Sequence, residues 1–113
     1  MSEARQPVVV GYDESSGSET AVVWAATEAA RVDRPLVVLV ATDSIRPMTD
    51  LLSLSGIAGG TLEEEARKAA SHGVELAKAA APSVQVEPRV SRAGAVTALC
   101  EVAQEAELIV VGT

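Results

Sequence analysis

Aromatic residues are almost missing from this chain: Tyr12 and Trp24 are the only two among its 113 residues, and phenylalanine does not occur. It also has one cysteine, Cys100, which excludes an internal disulfide. Hydrophobic residues nonetheless make up 48% of the sequence, which is enough for a core. That core has to be aliphatic and alanine-rich, with closely packed helices.

Positive charge is scarce as well, since the net charge is −7 and no basic stripe is visible. This argues against nucleic-acid binding. It does not argue against a nucleotide, because backbone N–H groups at helix N-termini hold phosphates without cationic side chains. No apolar stretch approaches the ~20 residues of a membrane span, and the first residues lack a signal-peptide pattern. We expect a soluble, cytoplasmic domain that contacts neither nucleic acid nor membrane.

Hydrophobic patterning predicts four strands that alternate with three helices. Two continuous apolar runs, 8–11 and 36–41, are typical of strands buried on both faces. The third strand, 84–90, alternates apolar with polar residues and contains Pro88, which indicates a sheet edge. The fourth, Leu108–Val111, is fully apolar. Helical periodicity predicts helices over 19–32, 61–81 and 94–106.

The βαβαβαβ order predicts an α/β fold, an open parallel sheet with helices on both faces and right-handed crossovers. The simplest strand order is 3-2-1-4. The winding direction then reverses between strands one and four and creates a crevice, whose lips are Gly11–Asp13 and Gly112–Thr113. Strand four would be a bare apolar edge, so we expect a further strand or a partner chain to cover it.

Several segments together resemble universal stress protein domains. They keep the family's order and spacing over essentially the whole chain: Val9–Asp13 with Ser16, Ala21–Ala26, Leu36–Ala41, Arg92–Gly94 and Ala106–Thr113. The resemblance implies the adenine nucleotide alpha hydrolase-like fold in a single domain over residues 1–113. It also implies that the family's fifth strand and last helix are missing, so we expect an incomplete domain at the C-terminus.

The resemblance also implies site residues. Gly11, Tyr12 and Asp13 would surround the adenine and ribose, and the main chain of Ala41 would read the adenine edge. Gly112 and Thr113 would begin the loop Gly-x2-Gly-x9-Gly-(Ser/Thr), in which Gly112 is the first glycine. A glycine at a strand end permits positive φ and close ligand approach.

Simpler interpretations stay open for the same residues. Asp13 could cap a turn, Tyr12 could be ordinary packing, and Gly112 could be a strand-terminating turn. The acidic pair Asp13 and Glu14 could hold a metal, although a turn is the simpler interpretation. We expect His72 to face solvent and Cys100 to be a small core residue on the inward side of the third helix, together with Val96, Leu99 and Ala103.

The resemblance implies a stress-response sensor or switch that binds ATP or a related adenine nucleotide, with magnesium as an optional companion ion. Because most of the phosphate loop would follow Thr113, we expect these residues alone to bind nucleotide poorly. No P-loop lysine, general base or metal cluster is visible, which predicts at most weak ATP hydrolysis. We expect a homodimer or a tandem-domain arrangement.

Three other functions share features with this sequence. Within the family, the alternative is a branch that binds no nucleotide and acts through dimerisation and protein contacts. A receiver-type phosphoacceptor domain needs an acceptor Asp at the end of strand three, where Val90–Arg92 has none. A flavodoxin-like cofactor domain fits the architecture, but Ser15–Ser18 only weakly matches the Ser/Thr-rich loop that such a domain needs.

Overall fold

The computed structural model describes residues 6–42, 62–92 and 94–112. In these ranges it contains four strands and three helices that alternate as predicted. The strands are β1 (Val8–Gly11), β2 (Leu36–Ala41), β3 (Val86–Ser91) and β4 (Leu108–Val110). The helices are α1 (Ser16–Val32), α2 (Leu62–Ala80) and α3 (Ala95–Ala103).

The strands form one parallel sheet in the order β3-β2-β1-β4, which confirms the predicted order. At its centre, Val8 pairs with Leu36 on one side and with Leu108 on the other. Strand β3 lies at one edge, where Pro88 is paired with Val38 and lacks an N–H that a central strand would need. The carboxyl ends of β1 and β4 are therefore neighbours.

Alternation along the two central strands divides the core into two layers. Leu36, Val38 and Val40 pack with Val8 and Val10 beneath α1 and α2. Val37 and Leu39 pack with Val9 on the opposite face, against α3. All six residues of β2 are buried, in keeping with its continuous aliphatic sequence. Helices therefore cover both faces of the sheet, as predicted.

The helices on the first face pack through alanine, as the scarcity of aromatic residues requires. The buried positions of α1 and α2 include Ala21, Ala25 and Ala29 on the former and Ala66 and Ala77 on the latter. Trp24 is instead 52% exposed. Apart from Tyr12, the core is therefore aliphatic and alanine-rich.

The expectation for α3 was wrong in one respect. Cys100 is exposed and so is Ala103, whereas Ala98 and Val102 are buried and Leu99 is half-buried. The buried residues Ala98 and Val102 thus each lie one position before a residue that was predicted to face inward. No helix in the three described ranges is long and apolar enough to cross a membrane.

Candidate functional site

A cleft of about 180 Å³ opens where the winding of the sheet reverses, at the carboxyl ends of β1 and β4. We call it the switch-point cleft. Its lining residues are Gly11, Tyr12, Asp13, Ser18, Leu39, Ala41, Leu99, Val111 and Gly112. Five of the six residues expected at a ligand site therefore surround one cavity. The sixth, Thr113, lies outside the described residues.

The turn from β1 into α1 forms one side of the cleft. Oδ1 of Asp13 accepts a hydrogen bond from the backbone N–H of Ser15 at 3.0 Å, and the backbone N–H of Asp13 donates to Oγ of Ser18 at 3.2 Å. Between them, Glu14 has a φ of 68°, a left-handed conformation that is uncommon for a residue with a side chain. The carboxylate of Asp13 thus shapes the turn and also lines the cleft.

Hydrogen bonds stabilise the ionised form of the Asp13 carboxyl group. Partial burial would raise the pKa of this carboxyl, but bonds from Ser15 and Ser18 outweigh it and lower the pKa below the ordinary value. A carboxylate of this kind is ionised at neutral pH. The cleft therefore offers one negative charge, and its lining contains no lysine or arginine among the described residues.

The start of α1 is capped beside the cleft. Oγ of Ser15 accepts a hydrogen bond from the backbone N–H of Ser18 at 3.1 Å, and the Ser18 hydroxyl donates back to the carbonyl of Ser15 at 3.0 Å. Ser18 is 3% exposed. The sequence indicated turn and cap roles for these serines, but it gave no sign that Ser18 lines the cleft.

Main-chain groups of β2 face the cleft at Ala41. The carbonyl of Leu39 accepts a hydrogen bond from the N–H of Tyr12 at 2.9 Å, so Leu39 directs its polar groups toward β1. Because these directions alternate along a strand, Ala41 directs its N–H and C=O to the same side. Strand β1 ends at Gly11, which pairs with Leu39. Ala41 therefore lies beyond the part of β2 that pairs with β1.

Gly112 closes the other side of the cleft by lying directly against α1. A Cβ at this position would overlap the carbonyl group of Gly17 and come within 2.8 Å of the backbone nitrogen of Ser18. Its φ lies outside the left-handed range. A left-handed backbone is therefore not what requires a glycine here; close approach between two backbone segments requires it.

Tyr12 is 2% exposed and belongs to the core beneath the cleft. Its hydroxyl lies 2.9 Å from Nδ1 of His72 on α2. His72 is partly exposed, as expected, but its contact with Tyr12 was not foreseen. The pKa of Tyr12 is raised to about 12, chiefly by burial and in the same direction by the nearby carboxylates of Glu19 and Glu14.

The buried phenol gives a testable expectation. Tyr12 is the only tyrosine, so tyrosinate absorbance reports it alone. We expect a native midpoint of about 12, against about 10 in denaturant. The stability that the neutral phenol contributes is present below the unfolded pKa and is lost as pH rises through the folded pKa. Circular dichroism on the same samples separates ionisation from alkaline unfolding, and a native midpoint near the denatured one would contradict the burial of the hydroxyl.

Comparison with known proteins agrees with this geometry. The sequence model of the universal stress protein family matches residues 4–113. A universal stress protein of Mycobacterium tuberculosis is 30% identical over 118 aligned positions. The alignment includes all of this chain but only 40% of that relative's length. The same organism's protein Rv1636 superimposes with a TM-score of 0.69 and 29% identity, covering 99% of this chain and 74% of the other.

A universal stress protein crystallised in complex with cAMP is 30% identical, with a TM-score of 0.62 over 96% of this chain and 77% of that one. The fold of the chain is the adenine nucleotide alpha hydrolase-like fold of these structures. The match to the family model covers nearly every residue and agrees with the observed strand order. The chain therefore belongs to the universal stress protein family.

Proposed function

We propose that the switch-point cleft binds the adenine and ribose of a nucleotide, and that the chain acts as an adenine-nucleotide sensor of the stress response. The observation that carries this proposal is the convergence of Asp13, the main chain of Ala41 and Gly112 on one cleft at the sheet's switch point. A relative with 30% identity has been crystallised with cAMP, which supports an adenine nucleotide as the ligand class.

Each part of the cleft suits a part of the ligand. The N–H and C=O of Ala41 match the alternating acceptors and donors of an adenine edge, and the carboxylate of Asp13 suits ribose hydroxyls. The apolar side chains of Leu39, Leu99 and Val111 suit the faces of a heterocycle. Neither hydrolysis nor a metal is needed for this role, and the proposal is a binding module with at most weak ATP hydrolysis.

The described cleft fits the base and sugar better than the phosphates. At about 180 Å³ it is smaller than sites that enclose whole drug-sized ligands, which occupy roughly 300–1000 Å³. Its only charged lining residue, Asp13, repels phosphate. ATP, its companion magnesium, a homodimer and a cytoplasmic location stay predictions.

The proposal is tested by titrating adenosine, ATP and cytidine into the protein and following the Tyr12 ring resonances by NMR. We expect adenosine and ATP to bind with affinities that agree within roughly threefold, because the phosphates find no cation in the described lining. Cytidine should bind more weakly, since its ring presents a different edge to Ala41. Saturable binding of none of the three would contradict the proposal and favour a family branch that acts through protein contacts.

Asp13→Asn provides the matched variant, since it removes the charge and keeps the size of the side chain. Charge-assisted hydrogen bonds are about twice as strong as neutral ones, so we expect adenosine affinity to fall roughly tenfold. A thermal melt of the variant controls for damage to the turn at Ser15. Unchanged adenosine affinity in a folded variant would remove Asp13 from the site.

A further inference from the structure

Tyr12 is held from three directions at the end of β1. Its backbone N–H donates to the carbonyl of Leu39 at 2.9 Å, which anchors it to the sheet. Its hydroxyl lies 2.9 Å from Nδ1 of His72, a residue 60 positions away on α2. The two rings meet edge to face, with centroids 6.0 Å apart. The side chain therefore bridges the lining of the cleft and a helix of the first layer.

Gly73 provides the third contact, directly after His72. A Cβ on Gly73 would lie 3.1 Å from Cδ2 of Tyr12 and 2.7 Å from Cγ1 of Val38. The ring of Tyr12 is therefore packed against the backbone of α2, which only a glycine permits there. One helix thus sets both the depth of the ring, through Gly73, and the direction of the hydroxyl, through His72.

Acidic groups surround this contact from the side of α1. Oε2 of Glu14 lies 3.7 Å from Nδ1 of His72. Glu19 shares a side-chain hydrogen bond with Tyr12 and, together with Glu14 and Asp13, acts on it electrostatically. Among the described residues that face the Tyr12 hydroxyl, His72 is thus the polar partner that α2 contributes, while the turn and α1 contribute carboxylates. These carboxylates raise the pKa of Tyr12 independently of His72.

We propose that His72 is a positioning residue for the switch-point cleft, and that its hydrogen bond to Tyr12 couples occupancy of the cleft to α2. His72 does not line the cleft, so it acts through Tyr12 on the backbone between Gly11 and Asp13. This inference rests on the proposed binding of adenosine at that backbone. Coupling between two sites is reciprocal, so a bound ligand should also tighten the contact between Tyr12 and His72.

The positioning half is tested without any ligand, by the alkaline titration of Tyr12. His72→Ala opens the hydroxyl to water and should lower the Tyr12 midpoint below about 12, while the remaining carboxylates of Glu14 and Glu19 keep it above the ordinary value of about 10. His72→Asn places an amide near the position of Nδ1 and should keep most of the shift. Because alanine is the better helix former, a merely helical role would favour the alanine variant instead. Ser71→Ala, at the exposed neighbouring position on α2, controls for a change in the helix and should leave the midpoint unaltered.

The coupling half is tested with adenosine. We expect His72→Ala to weaken adenosine binding roughly three- to tenfold, the loss of one part-buried hydrogen bond, and His72→Asn to restore most of it. His72 is the only histidine, so its ring protons form a single NMR reporter. At a fixed pH, adenosine should shift that reporter in the wild type and shift it less in Tyr12→Phe.

The outcomes separate the two proposals. If no ligand binds to the wild type, the proposed function fails and the coupling fails with it, while the ligand-free titration still decides the positioning of Tyr12. If adenosine binds but His72→Ala keeps wild-type affinity and the His72 reporter does not move, the coupling is wrong although the function stands. If the Tyr12 midpoint is equal in His72→Ala and the wild type, the positioning role is wrong as well.

Discussion

Replacing Leu36 by alanine is expected to lower the free energy of unfolding by about 2–5 kcal/mol, the usual range for a leucine truncated in a core. Leu36 is fully buried and is the largest of the side chains with negligible exposure. It begins β2 between Val8 on β1 and Val86 on β3, and its side chain packs beneath α1 and α2. The surrounding strands are fixed on both sides, so the cavity has little freedom to collapse.

Leu108→Ala is the matched control, because the same atoms are removed at the start of a strand in the same sheet. Leu108 pairs with Val8 too, but β4 is an edge of the described sheet and its leucine is 36% exposed. We expect its loss to be about 1 kcal/mol, in proportion to the smaller area removed from water. Urea denaturation of both variants measures the difference, and equal losses would contradict the central position of β2.

Patterns along single elements explain why the fold could be predicted. A continuous aliphatic run such as Leu36–Ala41 admits few arrangements other than a strand covered on both faces, and the alternation around Pro88 admits few other than an edge. Once the edge was assigned, the order of alternating strands and helices left 3-2-1-4 as the simplest sheet. The carboxyl ends of β1 and β4 then had to meet, which located the cleft.

The orientation of α3 could not be predicted in the same way. Apolar residues occupy seven of its nine positions, in the sequence AVTALCEVA, so the two polar residues, Thr97 and Glu101, exclude only the side on which they lie. Packing against the sheet determines which face of α3 is buried, since Ala98 and Val102 pack against Val9, Val37 and Leu39. Cys100, two positions from each, is left exposed. Tertiary packing chose between faces of similar apolarity.

Contacts between distant segments were also beyond the sequence. Gly112 was identified as a site residue, but the reason for a glycine there lies in Gly17, which only the folded arrangement brings next to it. The bond between Tyr12 and His72 likewise depends on the rotation of α2 about its axis. The buried residues of α2 include Gly73, and helical spacing places His72 on the flank of that buried side. Such pairs need three-dimensional distances.

Gly112→Ala is expected to be the most damaging small substitution at the cleft. The added Cβ would overlap the backbone of Gly17, and a backbone cannot rotate away as a flexible side chain can. Overpacking of this kind costs about 1–3 kcal/mol of unfolding free energy. The end of β4 has to move off the first turn of α1, which widens the cleft, so adenosine binding should fall by roughly tenfold or more, the equivalent of about 1.4 kcal/mol.

Gly11→Ala, on the opposite side of the same cleft, is the control for Gly112→Ala. Its Cβ would lie 3.7 Å from Cγ1 of Val111, an ordinary contact. Because alanine also restricts the unfolded chain, we expect Gly11→Ala to change stability by less than about 1 kcal/mol and in the favourable direction. Urea denaturation and the amide resonances of Gly17 and Ser18 distinguish the two variants. If both glycines tolerate alanine equally, then β4 does not lie against α1, and the cleft is wider at this side than the contact between Gly112 and Gly17 requires.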